Sequence, residues 1–232
     1  ESVKAVRHDV PSLQSAIRDA IRPRGALTDF QEQHVVRLTE FSTSLINAYS
    51  VSAPPLEIVR GEQRPAVSVD RVLDIACESA FVTGSTMQDS PSDWRKFVDV
   101  KNDVVSRVRV RSEFVEAAVF NLVKNAIEAT PKGRRVEVTA RLDCEDFLTI
   151  SVTNDFDDKS GKYLRTRKFD NIDGLLVNSF FQDKMPAHMG ISIVQWLARW
   201  HVVNVDGQKL RGDLSFQEAG SAATFTVRFP LG

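Results

Sequence analysis

The sequence predicts an α+β chain in two parts. An N-terminal antiparallel helical hairpin over residues 1–52 forms a four-helix bundle in a dimer, and an α/β sandwich follows over residues 56–232. Three observations carry this expectation. Apolar residues before position 50 recur at steps of three and four, the spacing of amphipathic helices. The run Ser52-Ala53-Pro54-Pro55 then stops any helix, because proline pushes the residue before it out of helical geometry. Beyond that run, helical and strand-like periods alternate, as they do when helices cover one face of a sheet.

The first helix has the seam Val3, Val6, Val10, Leu13, Ile17 and Ala20, and Pro23 with Gly25 ends it. Thr28 and Gln31 make a capping box that starts a second helix, striped by Phe30, Val35, Leu38, Phe41, Leu45 and Tyr49. Such a hairpin exposes its seam unless a second copy covers it, hence the expected homodimer. Val69 to Ala80 reads as a helix and Val104 to Val110 as a strand. Glu113 to Thr130 is a long helix, closed by Pro131 and Gly133. Val136 to Leu142 and Phe147 to Val152 read as strands joined in a hairpin. Asn154 to Gly190 is a polar stretch with little periodicity, longer than compact domains carry without a functional reason. Gly190 to Trp200 is helical, and Leu214 to Phe216 and Thr224 to Phe229 close the chain as strands. The sheet leans antiparallel, and there is no internal repeat.

Composition narrows the function classes. Thirty basic residues stand against 31 acidic ones, a net charge of -1, so charge gives no reason to expect a nucleic-acid partner or membrane contact. Any anion site must be local. Cys77 and Cys144 are too few for a disulfide framework and point to a reducing compartment. No run approaches the roughly 20 apolar residues of a membrane span, and no signal peptide opens the chain. Glu1 in place of Met marks the expected fragment or processed form. His8, His34, His188 and His201 show no metal-ligand spacing with the cysteines, so no structural metal is expected.

Three places could carry chemistry. His8 sits about 170° around its helix from the apolar seam and so faces solvent. A neutral imidazole is a competent nucleophile, and Asp9 beside it could orient it or take its proton. An exposed His next to Asp is also an ordinary surface pair. In the long helix, Asn121, Lys124, Asn125 and Glu128 gather opposite the stripe Val115, Val119, Leu122 and Ala126. Amide oxygens suit Mg²⁺, which keeps waters and binds phosphates, and Lys124 could touch those phosphates. The same spacing fits a solvated polar face. Finally, Lys159, Lys162, Arg165, Arg167 and Lys168 make a basic loop, and Gly190 opens a helix whose N-terminus could hold an anion.

Taken in order, these pieces resemble the transmitter core of bacterial sensor histidine kinases, with an ATP-binding domain of the gyrase, heat-shock chaperone, histidine kinase and mismatch-repair (GHKL) type. The likeness covers nearly the whole chain. "NLVKNAIEA" at Asn121 to Ala129 resembles the N box, and His8 with Asp9 the H box. "NSFFQDK" at Asn178 to Lys184 resembles the F-box region; "HMGISIV" at His188 to Val194 and the closing "ATFTVRFP" support the match.

That resemblance implies a homodimeric protein-histidine kinase of a two-component system. His8 would accept the γ-phosphoryl group of ATP, with Asp9 taking the imidazole proton. Asn125 would ligate Mg²⁺, and Asn121 would lie beside metal and phosphates as a catalytic residue. Lys124, Lys184 and Gly190 would contact the nucleotide, and Asn154 would stand where the family has the Asp that accepts the adenine amino group. The phosphoryl group would pass to a response-regulator receiver domain. The expected place is the cytoplasm, as part of a longer, membrane-tethered sensor.

The chain departs from the pattern in three places. Asn154-Asp155-Phe156-Asp157-Asp158 replaces the first glycine box, the second is reduced to Gly190, and Pro11 follows His8 early. Acidic residues near a triphosphate repel it. A second reading is therefore a degenerate kinase acting as an ATP-independent phosphotransfer or regulatory module. A third, an ATPase or serine kinase, is disfavoured because Asn121 has no carboxylate to activate a hydroxyl.

Overall fold

The computed structural model of the chain describes residues 35, 36, 39–43, 46, 58, 59, 66–84, 94–144, 146–156 and 189–232. The first helix of the expected hairpin, the Asp157-Asp158 pair, the basic loop, the F-box region, His8, Asp9 and Lys184 lie outside these residues. Residues 35, 36, 39–43 and 46 are helical.

After them come β1 (Ile58–Val59), α1 (Val69–Gly84), α2 (Trp94–Phe97), β2 (Val98–Asn102), α3 (Ser112–Ala129), β3 (Val136–Asp143) and β4 (Phe147–Asp155). The chain closes with α4 (Met189–Trp200), β5 (Val202–Val205), β6 (Gln208–Arg211), β7 (Asp213–Ala219) and β8 (Ala222–Pro230). The main sheet has the order β2-β3-β4-β8-β7, parallel only between β2 and β3. A smaller sheet, β1-β5-β6, takes in the strand that enters from the N-terminal side.

Alternation builds the main sheet's buried face. Val138, Val152 and Phe225 lie side by side across β3, β4 and β8, as do Ala140, Ile150 and Val227, then Leu148 and Phe229. All are buried. Burying such a row removes water from apolar surface on three strands at once, which fixes the register because a one-residue slip would expose every member. On β4 and β8 the intervening residues carry hydroxyls: Ser151 faces Thr226 at 2.8 Å and Thr153 faces Thr224 at 2.9 Å. Helix α3 packs against β4 and also against α1 and α4, so it sits in the middle of the helical layer. The result is a mixed α/β sheet covered by helices, which fits the GHKL ATPase fold.

Two expectations need correction. Val104 to Val110 is not a strand; it makes one bridge, Val108 with Val67, through N–H to carbonyl contacts of 2.8 and 3.0 Å. Its alternation is real, since Val104, Val108 and Val110 are buried while Val105 is fully exposed, but no neighbouring strand continues the ladder. The edge strand is β2 just upstream, joined to β3 through α3 in a β-α-β crossover. Second, the structure adds a β5-β6 hairpin that the periodicity does not predict. Its signal is Asp206-Gly207, both with positive φ (50° and 83°), the two-residue turn that matches strand twist.

Cys77 is buried and Cys144 exposed, and both are free thiols. No helix among the described residues is long and apolar enough to cross a membrane.

Phe229 tests the core directly. It is fully buried and edge-on to His201, with ring centroids 5.5 Å apart at 89°. Phe229→Ala should lower the unfolding free energy by about 3–5 kcal/mol in urea denaturation.

Candidate functional site

Helix α3 is buried on nearly every side from Phe114 to Val123. Its start, Arg111, has extended backbone and makes no side-chain cap; its end is closed by Thr130, whose N–H and hydroxyl both donate to the Ala126 carbonyl (2.9 and 2.6 Å). The polar side of this helix is not the solvated face that spacing alone would allow. Asn121 is only 4% exposed, because α4 covers it. Lys124 and Asn125 are half-buried, and only Glu128 is exposed.

The two amides have different fates. Asn121 Nδ2 donates to the Ala117 carbonyl one turn back at 2.8 Å, which fixes the orientation of its side chain. Asn125 Nδ2 is buried and has no hydrogen-bond partner among the described residues. Leaving a buried donor unmet costs roughly 1–3 kcal/mol, so folding alone gives no reason to keep Asn here.

Both amides face the first turn of α4. A Cβ added to Gly190 would lie 3.0 Å from Asn121 Oδ1 and 3.0 Å from Asn125 Nδ2, with Asn125 Oδ1 at 3.5 Å. Only glycine leaves that space open. The first N–H groups of a helix have no partner within it and carry a partial positive charge, which attracts anions. Three sequence-predicted residues, Asn121, Asn125 and Gly190, are thus brought together, with Lys124 on the same helix. The amide oxygens of Asn121 and Asn125 suit the shell of a hard cation that keeps most of its waters, while the Asn125 Nδ2 donor and the helix N-terminus suit the phosphate oxygens such a cation accompanies. The residues present therefore fit Mg²⁺.

Asn154, next to the last residue of β4, lies on the helix-facing side and is 6% exposed. Its Nδ2 donates to the Asp155 carbonyl at 2.8 Å, and among the described residues its Oδ1 receives no hydrogen bond. Next to it, Asp155 pairs with Arg134 at 3.6 Å. Phe156 is buried, and its N–H donates to the Ser221 carbonyl at 2.9 Å. The contact between this segment and the start of β8 thus continues one residue beyond β4. Sequence reading missed that closure; the signal was Phe156 itself, an apolar side chain among acidic ones.

The family model described as histidine kinase-, DNA gyrase B-, and HSP90-like ATPase matches residues 111–232, a span that includes α3, Asn154 and Gly190. Among solved structures, the chain is similar to full-length ShkA in complex with AMPPNP, at 16% identity and TM-score 0.51, covering 100% of this chain and 45% of that one. It is also similar to the mycobacterial sensor histidine kinase MprB at 19% identity and TM-score 0.44, covering 72% of this chain and 97% of that one. A histidine kinase from Burkholderia phymatum STM815 matches at 12% identity and TM-score 0.45, covering 100% of this chain and 98% of that one. No curated protein matches the chain.

The orphaned amide makes a stability prediction. Asn125→Ala removes an unmet buried donor and a poor helix former, so the unfolding free energy should stay level or rise by about 0.5–1 kcal/mol. Urea denaturation of the two proteins measures it; a clear loss would mean that Asn125 serves the fold.

Proposed function

The chain belongs to the histidine kinase-, DNA gyrase B- and HSP90-like ATPase family, and we propose that it is a protein-histidine kinase of a two-component system. In this reading a homodimer binds Mg-ATP in the domain over residues 56–232. It transfers the γ-phosphoryl group to His8 on the hairpin over residues 1–52 and hands it to an aspartate of a response-regulator receiver domain. The observation that carries the reading is the convergence of Asn121 and Asn125 on Gly190 at the start of α4.

Each residue has a task that its chemistry suits. Asn125 would hold Mg²⁺, with Asn121 beside it, and the bound metal supplies charge neutralisation for the phosphates. Lys124, Lys184 and the N–H groups opening α4 would meet the remaining negative charge. Asn154 Oδ1 would accept the adenine amino group. Phosphoryl transfer needs mainly alignment and charge stabilisation. The neutral imidazole of His8 forms the new P–N bond as the P–O bond to ADP breaks, and Asp9 takes the proton that the imidazole loses.

A second reading is favoured by one observation. The Phe156 to Ser221 contact fills the position where the family turns on glycines, and Asp155 brings a carboxylate there. On that reading the domain is a degenerate kinase that regulates or relays without ATP.

Incubation with γ-labelled ATP and Mg²⁺ separates the two. Wild-type protein should take up acid-labile, base-stable label, while His8→Ala and Asn125→Ala should show less than about a tenth of it, a deficit of ~1.4 kcal/mol or more. An unlabelled wild type would leave the degenerate reading standing, and base-labile label would point to a hydroxyl acceptor.

Asn154→Asp replaces a neutral acceptor with a charged one. It should tighten ATP binding by about fivefold, measured by calorimetry, since hydrogen bonds to charged groups are worth about 1 kcal/mol more.

A further inference from the structure

Helix α4 is apolar on two sides. Its inner side, Ile191, Val194, Leu197 and Ala198, is buried in the core. Its outer side carries Ile193, Trp196 and Trp200, all half-buried, and between residues 193 and 200 only Arg199 is exposed. The two indoles lie against each other, 4.7 Å between centroids at 37°. A surface helix needs one apolar stripe to hold its place. A second one built on a pair of tryptophans has the composition of a contact surface, since each indole offers a large apolar area.

The strand that follows points the same way. Val202 and Val203 are neighbours and so face opposite sides of the small sheet, yet they are 1% and 0% exposed. Neither belongs to the core around α3. Strands β1 and β6 flank β5 edge to edge and shield neither face, and no other described element makes more than a marginal contact with it. Both faces of β5 thus call for a further segment of chain.

The register says which segment. β1 runs parallel to β5, with Ile58 opposite Val203 and Val59 opposite Asn204. A parallel strand is entered from the side where its partner begins, so the route into β1 passes His201 and Trp200 at the end of α4. Three extended residues reach about 10 Å, enough for Pro55 to meet Trp200 along that route. Pro54-Pro55 suits the contact, because proline holds itself and the residue before it in extended geometry, and such segments dock on aromatic surfaces at low ordering cost. Residues 47–57 lie outside the described residues.

We propose that the outer side of α4 and the β5-β6 hairpin form one seat for the chain's own Pro54-Pro55-Leu56 segment, with the proline rings against Trp196 and Trp200. The seat continues the β1-β5 pairing already in place. The connection between the N-terminal segment and the domain is then held along the domain, so the N-terminal segment departs from the end of α4 in one direction. This goes beyond the kinase reading and does not depend on nucleotide.

Bimane fluorescence tests the seat in the full chain, because tryptophan quenches bimane only at near contact. The label goes on Ala53→Cys, beside the prolines, in a Cys144→Ser background; Cys77 stays, since burial holds its thiol protonated and out of reach. Trp94, buried in α2, stays in every variant. Trp196→Phe with Trp200→Phe removes the quenchers and keeps aromatic packing. Pro54→Gly with Pro55→Gly spares them and loosens the linker.

The expected result is a dim label in the otherwise wild-type chain that brightens about threefold or more in the double-Phe variant and about twofold in the double-Gly one, as the seated fraction falls. Emission indifferent to both variants would overturn the seat. A return to the dim level when labelled double-Phe chain is mixed with excess unlabelled wild type would set the prolines on a second copy, and would overturn the chain's own segment as occupant. Should the double-Phe variant fail to fold, the double-Gly variant, which changes nothing within the domain, decides alone: unchanged emission overturns the proposal.

Discussion

Everything at the proposed site depends on how α3 is buried. This helix touches the sheet through β4, α1 on one flank and α4 on another, and it leaves only its C-terminal turns half open. A helix enclosed in this way must be apolar nearly all round, which Phe114 to Val123 satisfies except at Glu116 and Asn121. The polar exceptions are therefore held rigidly. Asn121 is turned by its bond to the Ala117 carbonyl, and Asn125 points an unmet donor toward the start of α4. Gly190 lets the two helices approach closely enough for both amides to meet one spot. Preorganisation of this kind is what positioning a polyphosphate asks of a protein.

The same burial explains which parts were legible in the sequence. Period alone gave the long helix, the β3-β4 hairpin and the closing strand, because each buries one clean face. It failed at Val104 to Val110, where alternation reflects three valines inserted singly into the core with one bridging partner. It failed again at Val98–Asn102 and Val202–Val205, strands too short for a strong period; only the Asp206-Gly207 turn marked the second. For the site, the polar side of the long helix singles out Asn121 and Asn125, the helix start singles out Gly190, and the resemblance supplies their roles. That they converge was not readable, since residues 121 and 190 meet only after the sheet has brought α4 back against α3. Nor was the burial of Asn121 readable, because periodicity cannot tell a solvated polar face from one covered by another helix.

Two departures from the family pattern now have physical content. Asn154 keeps an acceptor at the end of β4 but loses its charge, and its amide nitrogen is already committed to the Asp155 carbonyl. Phe156 extends contact with the start of β8 where glycines would turn the chain. Both changes leave the amide pair on α3 intact. Immediately before Asn121 on the same helix, Phe120 meets Phe41 from the N-terminal segment. Helix α3 thus carries the amide pair and also contacts the N-terminal segment.

The central claim is that the amide pair on α3, opened by Gly190, seats a metal-bound polyphosphate. Calorimetric titration of the non-hydrolysable analogue AMPPNP into the full chain, with and without Mg²⁺, tests it most directly. The account predicts binding of one nucleotide per subunit that needs Mg²⁺ and is lost in Asn125→Ala, although that variant melts no earlier than wild type. Binding that is indifferent to both Mg²⁺ and Asn125, or no binding at millimolar nucleotide, would contradict it.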